Sequence, residues 1–159
     1  MIRKTFHSSR VSRRELLTIF GASTLAAIQI SLAGSAMAST DKAMASIKKI
    51  TGGNEQDSSK VILDTPQIAE NGSMVPITVR VDSPMNAQDN VKSLHLWADG
   101  NPNPEVASFY FTDLSAKVHI ATRIRLMKSQ NVIAVAEMSD GSFALTKSKV
   151  TVTIGGCTG

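Results

Sequence analysis

An all-β sandwich preceded by one short helix is the fold class this 159-residue chain predicts. From Val61 onward the apolar residues fall in short runs, several with period-two alternation, and each run is closed by Gly, Pro, Asn, Asp or Ser. Helical spacing of apolar residues outside the first 38 positions is confined to a stretch before Gly52-Gly53. The length supports one core without covalent staples. A single cysteine, Cys157, excludes an internal disulfide framework and a multi-cysteine metal site.

Residues 1–38 have the three-part order of an export signal: basic up to Arg14, mostly apolar from Leu16 to Ala33, then Ala36-Met37-Ala38. Ala36 and Ala38 form an A-x-A cleavage pattern, which makes Ser39 the first mature residue. Gly21, Ser23, Thr24, Gln29 and Ser31 interrupt the apolar run, so no stable membrane insertion is expected once the signal is removed. Arg13 and Arg14, followed by Glu15-Leu16-Leu17, resemble the twin-arginine motif, which predicts export of a folded chain to the periplasm. An ordinary secretory signal with two adjacent arginines leads to the same compartment.

This segment also accounts for the charge. The chain carries 17 basic and 13 acidic residues, a net of +4, but five of the basic residues and one acidic residue lie within 1–38. Twelve of each remain. The mature chain has no basic surplus with which to hold phosphates, and nucleic acid is not an expected partner.

Met44, Ile47 and Ile50 predict an amphipathic helix over 40–51, with Thr40 or Asp41 as its cap. Residues 53–60 read as a polar linker. Strands are then predicted over Val61–Leu63 with Gln67–Ala69, Val75–Val81, Val91–Ala98, Val106–Phe111, Lys117–Leu126, Val132–Met138, Phe143–Lys147 and Val150–Ile154. Val75, Ile77, Val79 and Val81 share one face, and His119, Arg123 and Arg125 lie opposite Val118, Ile120, Ile124 and Leu126. Both faces of Val91–Ala98 are candidates for burial. Asp140-Gly141 is the clearest hairpin turn. Seven or eight such strands make an immunoglobulin-like β-sandwich over residues 39–154 together with its helix.

The chemistry is concentrated in residues 155–159, Gly155-Gly156-Cys157-Thr158-Gly159. Two glycines after the last strand predict a flexible arm. Fully extended, it would carry the thiol about 10 Å beyond the sandwich. An exposed thiol with an ordinary pKa of about 8.5 is nucleophilic. Three roles fit such a cysteine: a covalent carrier site, an intermolecular disulfide staple, or an incidental terminal residue.

This tail resembles the Gly-Gly-Cys-Gly-Gly terminus of the SoxY family, the sulfur carriers of the bacterial Sox system. The resemblance extends to Pro66–Gly72 and Val75-Pro76, Lys92–Leu96, Asn101–Ala107, Thr122–Arg125, Val135–Gly141 and Val152–Ile154. It implies that Cys157 is the covalent sulfur attachment site, with Gly155, Gly156, Thr158 and Gly159 forming a swinging arm. It implies a heterodimer with a SoxZ-like subunit and no cofactor in this chain. It also implies transient partners: a SoxXA cytochrome that couples thiosulfate to the thiol, the dimanganese hydrolase SoxB that releases sulfate, and SoxCD where present. The chain is then no enzyme but the carried part of other enzymes' substrates. Thr158 departs from the family glycine and places a β-branched residue directly after the thiol. A reading of a different class is a non-catalytic immunoglobulin-like structural or adhesion module, dimerised by a disulfide through Cys157.

Other polar residues carry plainer expectations. His95 and His119 read as packed or interface residues; blue-copper spacing fails because only Thr158 and Gly159 follow Cys157. The row His119, Arg123 and Arg125 is a solvated face with some capacity for an anionic sulfur group. Phe109-Tyr110-Phe111 cannot all be buried on one face, so one ring is expected against a partner or under the helix. Asn101-Pro102-Asn103-Pro104 reads as a rigid turn.

Overall fold

The computed structural model describes residues 39–112 and 114–156. The export signal expected over 1–38 and the expected attachment residue Cys157 with Thr158 and Gly159 lie outside the described residues.

Residues 39–51 are helical (α1). Ser39, Ala43, Ile47 and Thr51 are buried at a spacing of four, while Met44 and Ile50 are exposed. The buried stripe is therefore rotated from the Met44–Ile47–Ile50 face that apolar spacing predicts. Thr40 and Asp41 lie inside the helix rather than capping it. The small residues win because α1 lies close to the sheet. Ile47 packs with Trp97, Ile133 and Val135, and the Trp97 Nε1–H donates to Ser46 Oγ at 3.1 Å.

Nine strands follow: β1 (Glu55–Asp57), β2 (Val61–Asp64), β3 (Ile68–Asn71), β4 (Val75–Val81), β5 (Val91–Ala98), β6 (Glu105–Tyr110), β7 (Val118–Ile124), β8 (Gln130–Met138) and β9 (Phe143–Ile154). The larger sheet runs β1-β9-β8-β5-β6, and β3 also pairs with β9; the smaller runs β2-β4-β7. β1 and β3 pair in parallel with the start and the end of β9 respectively. The all-β sandwich with a short leading helix is thus observed.

Its core follows from the alternation. Val75, Ile77, Val79 and Val81 of β4 meet Leu94, Leu96, Val132, Ala134 and Ala136 of the facing sheet. β5 and β8 are buried on both faces because α1 covers the outer side.

Two element expectations change. The stretch 53–60 contains β1, whose register sets Glu55 beside Phe143. The two strands expected over Phe143–Lys147 and Val150–Ile154 are one, since Ser148 and Lys149 continue the ladder opposite Val132 and Asn131. The hairpin at Asp140-Gly141 is as expected, with Gly141 at φ 83° and the Ser142 N–H donating to Asp140 Oδ1 at 2.8 Å. Phe109 and Phe111 pack against the core. Tyr110 points outward, 77% exposed, and sits edge-on to His95, so it is not the ring under α1.

Candidate functional site

β9 delivers the chain end to a junction of three backbone segments. The Gly72 N–H donates to Ile154 O at 2.7 Å, the Leu126 N–H to Gly72 O at 2.7 Å, and the Gly156 N–H to Leu126 O at 3.0 Å. The turn after β3, the segment after β7 and the exit from β9 are therefore knitted together. Each pairing satisfies backbone groups that would otherwise be orphaned where the strands stop.

Glycine is required here by proximity. A Cβ on Gly72 would collide with the Leu126 carbonyl oxygen and come within 2.8 Å of Gly156 N. One on Gly155 would collide with the Met127 carbonyl oxygen. One on Gly156 would lie 2.8 Å from Arg125 Cγ and 2.9 Å from Gly72 O. None of the three has a positive φ, and Gly156 is buried. Of the residues expected to form the arm, Gly155 and Gly156 are packed here, and the chain is hydrogen-bonded through Gly156. Cys157 is the next residue in the sequence.

The shelf under these glycines is itself fixed by Asn101. Its Nδ2 donates to Arg125 O at 2.8 Å. Its Oδ1 accepts from Met127 N at 3.1 Å and from Gln130 Nε2 at 2.9 Å. Gln130 Oε1 in turn accepts from Gly100 N at 2.6 Å. Ser129 Oγ accepts the Val152 N–H at 2.9 Å, tying β9 to the same turn. Sequence reasoning missed Asn101, Gly72 and Gln130. An Asn-Pro pair reads as local turn chemistry, and nothing in its spacing announces a contact with residues 125–127.

Of the predicted cationic row, Arg125 reaches this junction. His119 lies at the other end of β7, about 20 Å away by strand rise, in a surface groove with Arg80, Asp82 and Lys117. Arg80 pairs with Asp64 at 2.8 Å.

His95 is buried, as expected for a packed residue. Its Nδ1 is 2.7 Å from Ser108 Oγ and its Nε2 3.0 Å from Ser93 Oγ, and Ser93 Oγ donates to Glu137 Oε2 at 3.1 Å. With that proton committed to Glu137, Ser93 accepts from Nε2–H, which leaves Nδ1 to accept from Ser108. Burial lowers the His95 pKa from its ordinary value, and the Glu137 and Glu105 carboxylates partly oppose the shift. This network holds a neutral imidazole and is separate from the β9 junction. Among the described residues, no three His, Cys, Asp or Glu side chains gather as a metal site.

Comparison with known proteins places this architecture. Among curated protein sequences none matches the chain. In solved structures it resembles the sulfur carrier protein SoxY from Chlorobium limicola f thiosulfatophilum, at 29% identity over 69% of this chain and 94% of that one, TM-score 0.57. Superoxide reductase (neelaredoxin) from Ignicoccus hospitalis aligns at 17% identity over 58% of this chain and 80% of its own, TM-score 0.52. Superoxide reductase from Nanoarchaeum equitans aligns at 14% over 60% and 97%, TM-score 0.50. These two show a shared sandwich fold alone. The sequence profile of the sulfur oxidation protein SoxY matches residues 47–157, from the buried face of α1 through the junction to the cysteine. The chain belongs to the SoxY family of sulfur oxidation proteins.

Proposed function

We propose that this protein is a periplasmic sulfur carrier that binds thiosulfate-derived sulfur covalently on Cys157 and presents it to partner enzymes. The observation that carries the reading is the family match, which runs to Cys157 itself. The junction that β9 reaches immediately before that residue supports it.

The chemistry balances as a carrier cycle. In loading, the Cys157 thiolate and thiosulfate form an S–S bond, giving Cys–S–S–SO3− and releasing two electrons to a cytochrome partner of the SoxXA kind. In hydrolysis by a SoxB-type enzyme, water attacks the terminal sulfur. Sulfate and two protons leave, and Cys–S–S− remains. A SoxCD-type enzyme or another acceptor then takes the sulfane sulfur. This chain supplies the nucleophile and its position, and a SoxZ-like subunit is its heterodimer partner. The redox and hydrolytic groups belong to the other proteins, so the chain is a carrier and not an enzyme. The twin-arginine signal accounts for periplasmic delivery.

Intact-mass spectrometry of the protein from cells oxidising thiosulfate tests the proposal. Sulfur or thiosulfonate adducts that vanish with reductant and are missing from Cys157→Ser are expected. Protein found solely as a disulfide-linked homodimer, inert to thiosulfate with its partners, would overturn it.

A further inference from the structure

The larger sheet ends in an edge that nothing in the chain guards. We propose that β6 is a self-association surface, on which the β6 of a second copy of this chain adds antiparallel and joins the two larger sheets. The inference is independent of the carrier reading and uses no residue of the β9 junction.

β6 closes one end of the larger sheet and pairs with β5 alone. The Phe111 N–H donates to Lys92 O at 2.9 Å, and the register sets Tyr110 beside Ser93 and Phe109 beside Leu94. Bonded and non-bonded pairs alternate in an antiparallel ladder, so Phe109, like Phe111, turns its backbone to β5. Ser108 and Tyr110 turn theirs outward, and both residues are exposed. The register shift in this ladder lies between Leu96 and Trp97, toward the start of β6, and leaves the stretch from Ala107 to Tyr110 regular. Outward N–H and C=O groups on a regular edge are a template for a further strand.

The two outward residues are braced from within the sheet. Ser108 Oγ lies 2.7 Å from His95 Nδ1, and the Tyr110 ring stands edge-on to the same imidazole, 5.9 Å between centroids. His95 is itself buried. One fixed ring therefore holds both positions of the template.

Charge decides the occupant. Edge strands are ordinarily guarded by charged side chains or proline. The other edges follow that rule: Glu55 stands in β1, Asp64 in β2, Glu70 in β3 and Arg123 in β7. From Val106 to Thr112 there is no charge, glycine or proline. Pairing across a two-fold axis sets a strand against itself, so a charge near the axis faces its own copy at a cost. Beyond Glu105, β6 escapes that cost. With Phe109 on the axis, Ser108 of each copy meets Tyr110 of the other, and these pairs satisfy every outward backbone group of both residues. The exposed Tyr110 ring then lies over the neighbouring strand. Such a contact is smaller than a permanent dimer needs, so association depends on concentration.

Hydrogen exchange read amide by amide, at low micromolar and at near-millimolar concentration, tests this. The protein is kept reduced, which excludes a disulfide-linked dimer. The Ser108 and Tyr110 amides are expected to slow at least about fivefold at the higher concentration. Those of Phe109 and Phe111, already bonded to β5, keep their rates. Sedimentation of the same samples should show the mass doubling. Tyr110→Lys supplies the missing guard and is expected to weaken dimerisation at least about tenfold, a loss that shrinks as salt is added. Tyr110→Pro removes an outward donor that β5 does not use and should abolish the concentration dependence. Rates at Ser108 and Tyr110 that ignore concentration overturn the inference, as does a dimer that Tyr110→Lys leaves equally strong. Protection of these amides that arises solely on adding a different subunit assigns the edge to that subunit and also overturns it. None of these outcomes touches sulfur adducts at Cys157, by which the carrier reading stands or falls.

Discussion

An added methyl group at Gly72 or Gly155 points directly at a carbonyl oxygen of the 126–127 segment, and a backbone oxygen held in a hydrogen-bonded junction cannot swing aside as a flexible side chain can. Gly72→Ala and Gly155→Ala are each expected to cost at least about 2 kcal/mol, read as a drop of several degrees in Tm. Gly141 offers a contrast. A Cβ there meets nothing within 4 Å, but its φ is +83°, so Gly141→Ala should cost only about 1 kcal/mol. His95 sets a pH dependence. Burial lowers its folded-state pKa, so the unfolded chain binds more protons as the solution is acidified through the ordinary histidine range. Stability is then complete above the unfolded value of about 6.5 and declines as pH falls from there through the lower folded value. Denaturant midpoints measured between pH 7.5 and 5 should fall for the native protein and flatten in His95→Gln; an unchanged slope in that variant would assign the effect elsewhere.

At the scale of elements, α1 covers the outer face of the larger sheet, and its Ser39 Oγ donates to Asp99 O and Asn101 O in the turn that also fixes the 125–127 segment. Ile47 is fully buried against Trp97, and Ile47→Ala is expected to cost about 2–4 kcal/mol, with a red-shifted Trp97 emission as α1 loosens. Asn101→Ala removes both the donor to Arg125 O and the acceptor for Met127 N, a loss of about 1–3 kcal/mol. Hydrogen exchange should show the Gly156 amide among the most accelerated, because its acceptor Leu126 belongs to the shelf that Asn101 fixes. Most strands were legible from period-two alternation, since β4 and β7 each have one face in the core and one outside. β1 was not, because Glu55-Gln56-Asp57 has no apolar residue to alternate and gains its strand geometry from pairing with β9. The helix stripe was misplaced because alanine and serine carry little weight in an apolar pattern, although close approach to a sheet favours them.

For the whole molecule, charge and address are separable from fold. If residues 1–38 are a twin-arginine signal, replacing both Arg13 and Arg14 by lysine should leave the protein in the cytoplasm, and the exported form should begin at Ser39; cell fractionation with N-terminal mass analysis checks both. The candidate attachment residue Cys157 was visible in the sequence, as a lone cysteine directly after two glycines. The junction was not. Gly72, Leu126 and Gly156 are far apart in sequence and meet only because β3 and β9 run in parallel beside the end of β7. Parallel pairing of distant strands leaves no local trace.

The three hydrogen bonds at that junction decide where the sandwich stops. With the chain held through Gly156, residues 155 and 156 belong to the body of the fold rather than to a separate tail. If Cys157 is the attachment site, a partner must either dock against the sandwich itself or first break the Gly156–Leu126 bond.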